Sequence, residues 1–142
     1  MRLYKIIFTD KEFAEDSIYK LPLFQLEKLK DKVENSDFVE FDIDNTSGFF
    51  FSAHEHEFSE FCRMFHSVDI EFQWVDITDK VLLGEKIFTD LLSEGSSVKS
   101  ELDQLILRFY RENITTDIIL DKINSKGMKS LSEEDKLFLQ KN

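Results

Sequence analysis

The sequence predicts an α+β protein, on three observations. Short apolar runs alternate with stretches of helical periodicity over the first 80 residues. The rest of the chain carries helical periodicity alone, and the composition is that of a chain that buries a core. At 142 residues it has the size of one domain, or of one small domain with an appendage. Folding at this length removes roughly 68–70% of the unfolded surface from water, so a core forms without disulfide or metal staples. Apolar residues make up 42% and aromatic residues 13%, with 15 Phe against one Trp and three Tyr. That aromatic content excludes a disordered chain, and four Gly with one Pro leave little material for long loops.

Taken in order, Leu3 to Phe8 reads as a first strand, apolar on both faces and hence central in a sheet. Thr9-Asp10-Lys11-Glu12 has capping-box spacing, with Thr9 as the cap of a short helix running to about Lys20. Pro22, as the first helical residue, opens a second helix from Leu23 to Asn35, on which Leu26, Leu29 and Val33 recur at helical spacing. Val39 to Asp44 alternates apolar with acidic residues, as a half-buried strand does. Asn45-Thr46-Ser47-Gly48 is turn chemistry, and Phe49-Phe50-Phe51 follows as the second arm of a hairpin. Ser52-Ala53-His54-Glu55 repeats the capping-box spacing and opens a helix to about His66 with Phe58, Phe61 and Phe65 as its buried stripe. Val68, Ile70, Phe72 and Trp74 then alternate with Asp69, Glu71 and Gln73 as a last strand.

The resulting order, β-α-β-β-α-β, is the ferredoxin-like arrangement, in which a hairpin joins the second and third strands. It assigns residues 1–80 to a ferredoxin-like α+β domain and residues 85–142 to an all-helical C-terminal segment of about four short helices. Ile87, Phe88, Leu91 and Leu92 mark the first of these, ending near Gly95. Val98, Leu102, Leu105, Ile106 and Phe109 mark the second and clearest. Thr115 or Thr116 caps a third that carries Ile119, Leu120 and Ile123, with Gly127 as its stop. Ser132 precedes Glu133, Glu134 and Asp135, acids suited to a helix N-terminus, and Leu137, Phe138 and Leu139 give that last helix something to bury.

The stretch from Asp117-Ile118-Ile119-Leu120-Asp121-Lys122-Ile123 through Gly127, Ser130-Leu131-Ser132-Glu133-Glu134 and Leu137-Phe138-Leu139 resembles a known segment. It is similar to the short cytoplasmic C-terminal helical segment of some bacterial rhomboid-family membrane proteins. The resemblance covers residues 117–139 and implies a small helical tail module. It carries no protease activity, because that chemistry needs a Ser and a His on membrane-spanning helices. The residues themselves read as a packing unit closed through Ile119, Ile123, Leu131, Leu137 and Phe138.

Glu55, Ser59, Cys62 and His66 recur at i, i+4, i+7 and i+11 and share one helical stripe. A Cys–His pair at i, i+4 could activate a thiol or hold a metal, which makes Cys62, His66 and Glu55 the candidate catalytic residues. Two protein ligands fall short of the three or four a zinc site uses, and Cys62 borders the Phe stripe, where a cysteine packs as a small apolar residue. His54 is expected on the apolar side of this helix and His56 on a solvent face with Glu60 and Arg63. Asp42, Asp44 and Thr46 with Gly48 echo a calcium loop. Yet Gly48 is seventh counted from Asp42, where an EF-hand needs its Gly sixth, and Ala53 stands where the twelfth-position acid belongs. A hairpin turn accounts for these residues without a metal. No dinucleotide, phosphate-loop, nucleophile-elbow or zincin motif occurs, so no cofactor or metal is expected.

The formal net charge is −11, which repels nucleic-acid phosphates and anionic membranes. Glu40, Asp42 and Asp44, with Asp69 and Glu71, put acids on the strand faces where a nucleic-acid-binding sheet needs bases. The single Cys62 fits a reducing compartment. The apolar run Ile6-Ile7-Phe8 is too short for a signal peptide, and no stretch approaches a membrane span, so the expected location is the cytoplasm. A sheet with helices on one face would leave the first strand and the three consecutive Phe with a bare apolar side, to be covered by the C-terminal helices, a second copy or another protein. The leading expectation is therefore a non-enzymatic interaction or self-association module that binds a protein partner through that face. The alternatives are a small thiol-dependent enzyme or redox sensor using Cys62 and His66, and an acidic inhibitor or immunity-type protein that binds a basic partner.

Overall fold

The computed structural model describes residues 1–35, 37–43, 46–84 and 97–141. Alternation along the central strands sets the architecture. In β1 (Arg2–Phe8) Leu3 and Ile7 point to one side and Tyr4, Ile6 and Phe8 to the other, and both sets enter a core. The hairpin β2 (Phe38–Ile43) and β3 (Thr46–Ala53) does the same: Val39, Phe41 and Phe50 face one way, Phe38, Phe49 and Phe51 the other. With β4 (Phe72–Asp76) these strands form an antiparallel sheet in the order β2-β3-β1-β4. The expectation of a central first strand is met, with β3 on one side and β4 on the other.

One face is covered by α1 (Lys11–Ile18), α2 (Leu23–Glu34) and α3 (Glu55–Ser67). Ala14, Leu29, Phe58, Phe61, Met64 and Phe65 join the sheet's aromatics there. The second face is covered by the chain's own later helices, α4 (Thr78–Leu82), α5 (Ser97–Asn113) and α6 (Thr116–Lys126). Val81, Leu82, Leu102, Leu105, Phe109 and Ile119 pack on Leu3, Val39, Phe41 and Phe50. Arg108 ties α5 to the connection between α2 and β2 by donating to the Asn35 carbonyl (3.2 Å) and to the Asp37 carboxylate (2.9 Å). The apolar face on which a partner or second copy was expected is thus occupied from within.

Several local expectations shift by a residue or two. Asp10, not Thr9, caps α1 and accepts from the Phe13 amide. Pro22 stands one place ahead of the first helical residue of α2. Val33 faces solvent, because Leu29 and the partly buried Leu26 already fill the contact with the sheet. Ser52 does not cap α3 but continues β3 opposite Leu3, and the helix starts after His54, whose backbone N–H donates to Glu57 at 3.4 Å. Thr46, Ser47 and Gly48 belong to β3 rather than to the turn, and Asp44 and Asn45 lie outside the described residues. So do Ile87, Phe88, Leu91, Leu92 and Gly95 and the side chain of Val98.

Gly48 earns its place in β3 by contact. A Cβ there would sit 1.8 Å from the Ile6 carbonyl oxygen, and that oxygen belongs to backbone which cannot move without opening the sheet.

The C-terminal helices close on a buried polar network that periodicity does not reveal. Thr115 caps α6 through the Ile118 amide, and Gly127 ends the helix at φ 79°. A single 3₁₀ turn (Met128–Ser130) leads to α7 (Glu133–Lys141). Ser132 and Asp135 cap α7 reciprocally: the Ser132 amide donates to Asp135 at 2.8 Å and the Asp135 amide to the Ser132 hydroxyl at 3.3 Å. The same carboxylate is fully buried, accepts from Lys122 Nζ at 3.0 Å and is hydrogen bonded by the Tyr110 hydroxyl. Lys122 is itself only 4% exposed and also donates to Tyr110 at 2.5 Å. The contact favours the charged pair while burial favours the neutral one. Desolvation wins in direction, leaving Lys122 below and Asp135 above its ordinary pKa. Leu120 and Leu137 stay exposed, since Lys122 and Asp135 take the inward positions of α6 and α7.

Two stability measurements check these contacts by denaturant unfolding. Gly48→Ala destabilises by about 3 kcal/mol or more, because the added methyl meets sheet backbone. Asp135→Ala costs about 3–5 kcal/mol by stranding the Lys122 ammonium, whereas Lys122→Met combined with Asp135→Leu restores most of the loss.

Candidate functional site

Three members of the α3 stripe come together, and the fourth does not. Glu55, Ser59 and Cys62, with Arg63, form one wall of a groove of about 550 Å³ whose other wall is Tyr4 of β1 and Trp74 and Asp76 of β4. Its floor is aromatic. Tyr4 stacks on Phe58 at 3.8 Å between ring centres, and Trp74 meets Phe58 edge-on at 5.0 Å and Tyr4 at 6.0 Å. Tyr4 and Phe58 are buried, but Trp74 is 54% exposed. Strand alternation suggested a buried Trp74; it is exposed because β4 is a sheet edge and α3 covers only its inner side.

His66 is absent from this groove. One turn further along α3, its ring lies against Phe72 at 5.1 Å. Cys62 is half-buried, and burial is what pushes its thiol above the ordinary cysteine pKa. The thiol is therefore protonated at neutral pH, and a protonated thiol is a weak nucleophile. The Tyr4 hydroxyl is also pushed up, first by burial and then by the Asp76 and Glu55 charges. Burial alone would raise Asp76. Hydrogen bonds from the Thr78 hydroxyl and amide (the amide at 2.9 Å) and an ion pair with Arg2 (2.8 Å) hold its carboxyl below the usual range. These bonds fasten the end of β4, and Thr78 Oγ1 accepts the Leu3 amide of β1 at 2.9 Å.

The remaining candidates are dispersed. His54 and His56 are both exposed and stack on each other, 5.8 Å between centres. They share a side because His54 precedes the helix, so the helical angle that would separate them does not apply. Asp42 pairs with Lys11 across from α1 and lies opposite Ser47 in the hairpin. Among the described residues no group of three or more His, Cys, Asp or Glu is placed to hold a metal ion, and no helix is long and apolar enough to cross a membrane. The aromatic floor and the open Trp74 were missed in the sequence. The available signal was the position of Trp74 in the last strand of the predicted order, which that topology puts at an edge.

Alkylation of Cys62 tests the thiol assignment, since this is the chain's single cysteine. Its rate against pH rises with a midpoint above that of the urea-unfolded chain. Because the folded thiol holds its proton longer, stability is fully present below the unfolded pKa and declines as pH rises toward the folded one. A folded midpoint at or below the unfolded one would restore an activated thiol. No family model, curated protein or solved structure matches the chain.

Proposed function

We propose that this protein is a non-enzymatic interaction module that takes a protein segment into the groove beside Trp74. The observation that carries the reading is the half-exposed Trp74, set on the buried Tyr4–Phe58 stack next to an edge strand. A rigid, partly open aromatic in a concave site is the side chain most often found at the centre of an interface. A thiol held protonated by burial supports the same reading over thiol catalysis. The docking face in this reading is the β4 side of the molecule, not the sheet surface that α5 covers.

The fold we assign is ferredoxin-like, with a second helix inserted in the first crossover. Its support is the order β2-β3-β1-β4, in which each helical connection steps over one strand. Residues 117–139, similar in pattern to the rhomboid-family tail segment, are read as a packing module, supported by the burial of Ile119, Lys122 and Asp135. A cytoplasmic setting is part of the proposal, supported by a lone cysteine with no partner for a disulfide within the chain.

Selection of a displayed random-peptide library on the folded protein tests the module. The expected result is a set of binders whose affinity falls at least about tenfold, or 1.4 kcal/mol, with Trp74→Ala. Selection that returns no binder dependent on Trp74 overturns the reading.

A further inference from the structure

We infer that the outer edge of β4 accepts an extended peptide as a fifth strand, and that this peptide carries basic residues near both ends. The inference rests on the groove reading above and names its occupant.

The hydrogen-bond phase of β4 comes first. The Thr9 amide donates to the Glu71 carbonyl at 3.1 Å and the Ile77 amide to the Leu3 carbonyl at 2.9 Å, at the two ends of the β1–β4 ladder. Antiparallel ladders alternate inward and outward bonding residues. Glu71, Gln73, Val75 and Ile77 therefore turn their backbone groups to β1, and Phe72, Trp74 and Asp76 turn theirs outward. Among the described residues no strand pairs with that side. The same three residues share the face on which Trp74 and Asp76 line the groove. A strand added here would bond to backbone at 72, 74 and 76 and lay alternate side chains over the Trp74 ring toward Phe58 and Cys62.

Charge selects the occupant. The first end of β4 is acidic, with Asp69 and Glu71 joined by Asp10 around a depression of about 250 Å³ that also includes Phe13. At the other end stand Asp79 in the first turn of α4 and Glu55 on the groove wall, beside Asp76, whose charge Arg2 already meets. Arg2 is engaged with Asp76, and Arg63, the base that lines the groove, turns Nε to the Ser59 carbonyl. A second copy pairing antiparallel through the same edge would bring the acidic end of one copy, around Asp69 and Glu71, beside the other copy's end that carries Asp79, which disfavours it. From Glu71 to Asp76 the edge spans about 17 Å, the length of roughly six extended residues. A short basic–apolar–basic strand matches the edge in length, polarity and charge.

The test uses the full chain and a capped peptide of about six residues, lysine at each end and threonine alternating with valine between. Fluorescence of the single Trp74 reports occupancy, and amide shifts at Phe72, Trp74 and Asp76 report strand pairing. The lysine-ended peptide is expected to saturate. A glutamate-ended counterpart should bind at least about fivefold more weakly, as should the lysine-ended peptide on Glu71→Lys with Asp79→Lys. Methylation of the peptide's pairing amides should abolish binding. If the charge-reversed protein does not fold by circular dichroism, the peptide comparison on the native protein carries the same test. Equal binding of both end charges, or binding that survives amide methylation, overturns the inference. So does a Trp74 signal that changes on dilution of the protein alone, which would assign the edge to a second copy. If the lysine-ended peptide fails while Trp74-dependent library binders exist, the strand inference falls and the groove reading stands. If neither binds, both fall.

Discussion

Phe49, Phe50 and Phe51 are consecutive in a central strand and all three are fully buried. Because neighbouring side chains in a strand leave on opposite faces, that run can be buried only if both faces of the sheet are covered. Each such burial contributes about 1.5–3 kcal/mol, so the three together rival the whole net stability of about 5–15 kcal/mol expected of a domain. The three-layer arrangement follows. The early helices cover Phe49 and Phe51, and the late helices must come back over Phe50. Gly48 is the matching constraint at the start of the same strand, where the tight β1–β3 contact has no room for a side chain.

Covering both faces leaves the margins of the sheet as its open parts. With α5 and α6 on the second face, the β4 edge and the groove between α3, β1 and β4 are open among the described residues. There the anchoring is firm. Asp76 is held by Arg2 and Thr78, Tyr4 by its stack on Phe58, and the exposed Trp74 is braced by both rings. The exposed Trp74 on its braces and the half-buried Cys62, whose thiol burial pushes above its ordinary pKa, are the features on which the proposed docking groove rests.

Much of the fold was legible because period and polarity agree with burial. The Phe58, Phe61 and Phe65 stripe, the Leu102, Leu105 and Phe109 stripe and the alternation of Val39 and Phe41 all turn inward as read. Caps were less legible. Thr9 and Ser52 offered plausible caps, yet Asp10 and His54 took the role, in the second case because β3 runs on to Ala53, and Pro22 stands at the cap of α2 rather than at its first helical position. The candidate site was half legible. Helical spacing put Glu55, Ser59 and Cys62 on one stripe, but nothing local said that the stripe ends before His66, where the ring meets Phe72 instead of the cleft.

From the sequence alone came an α+β chain with an apolar central strand, an amphipathic α3 and a helical C-terminal half, since these depend on periodicities of two and 3.6 that neighbours in sequence express directly. Tertiary structure alone decided which helices cover the second face, that Lys122, Asp135 and Tyr110 meet in the interior, and that Trp74 lies open at an edge. Those outcomes join residues far apart in the chain, as Leu3 and Ile119 in one core, and are set by packing and desolvation, which no short window of sequence contains.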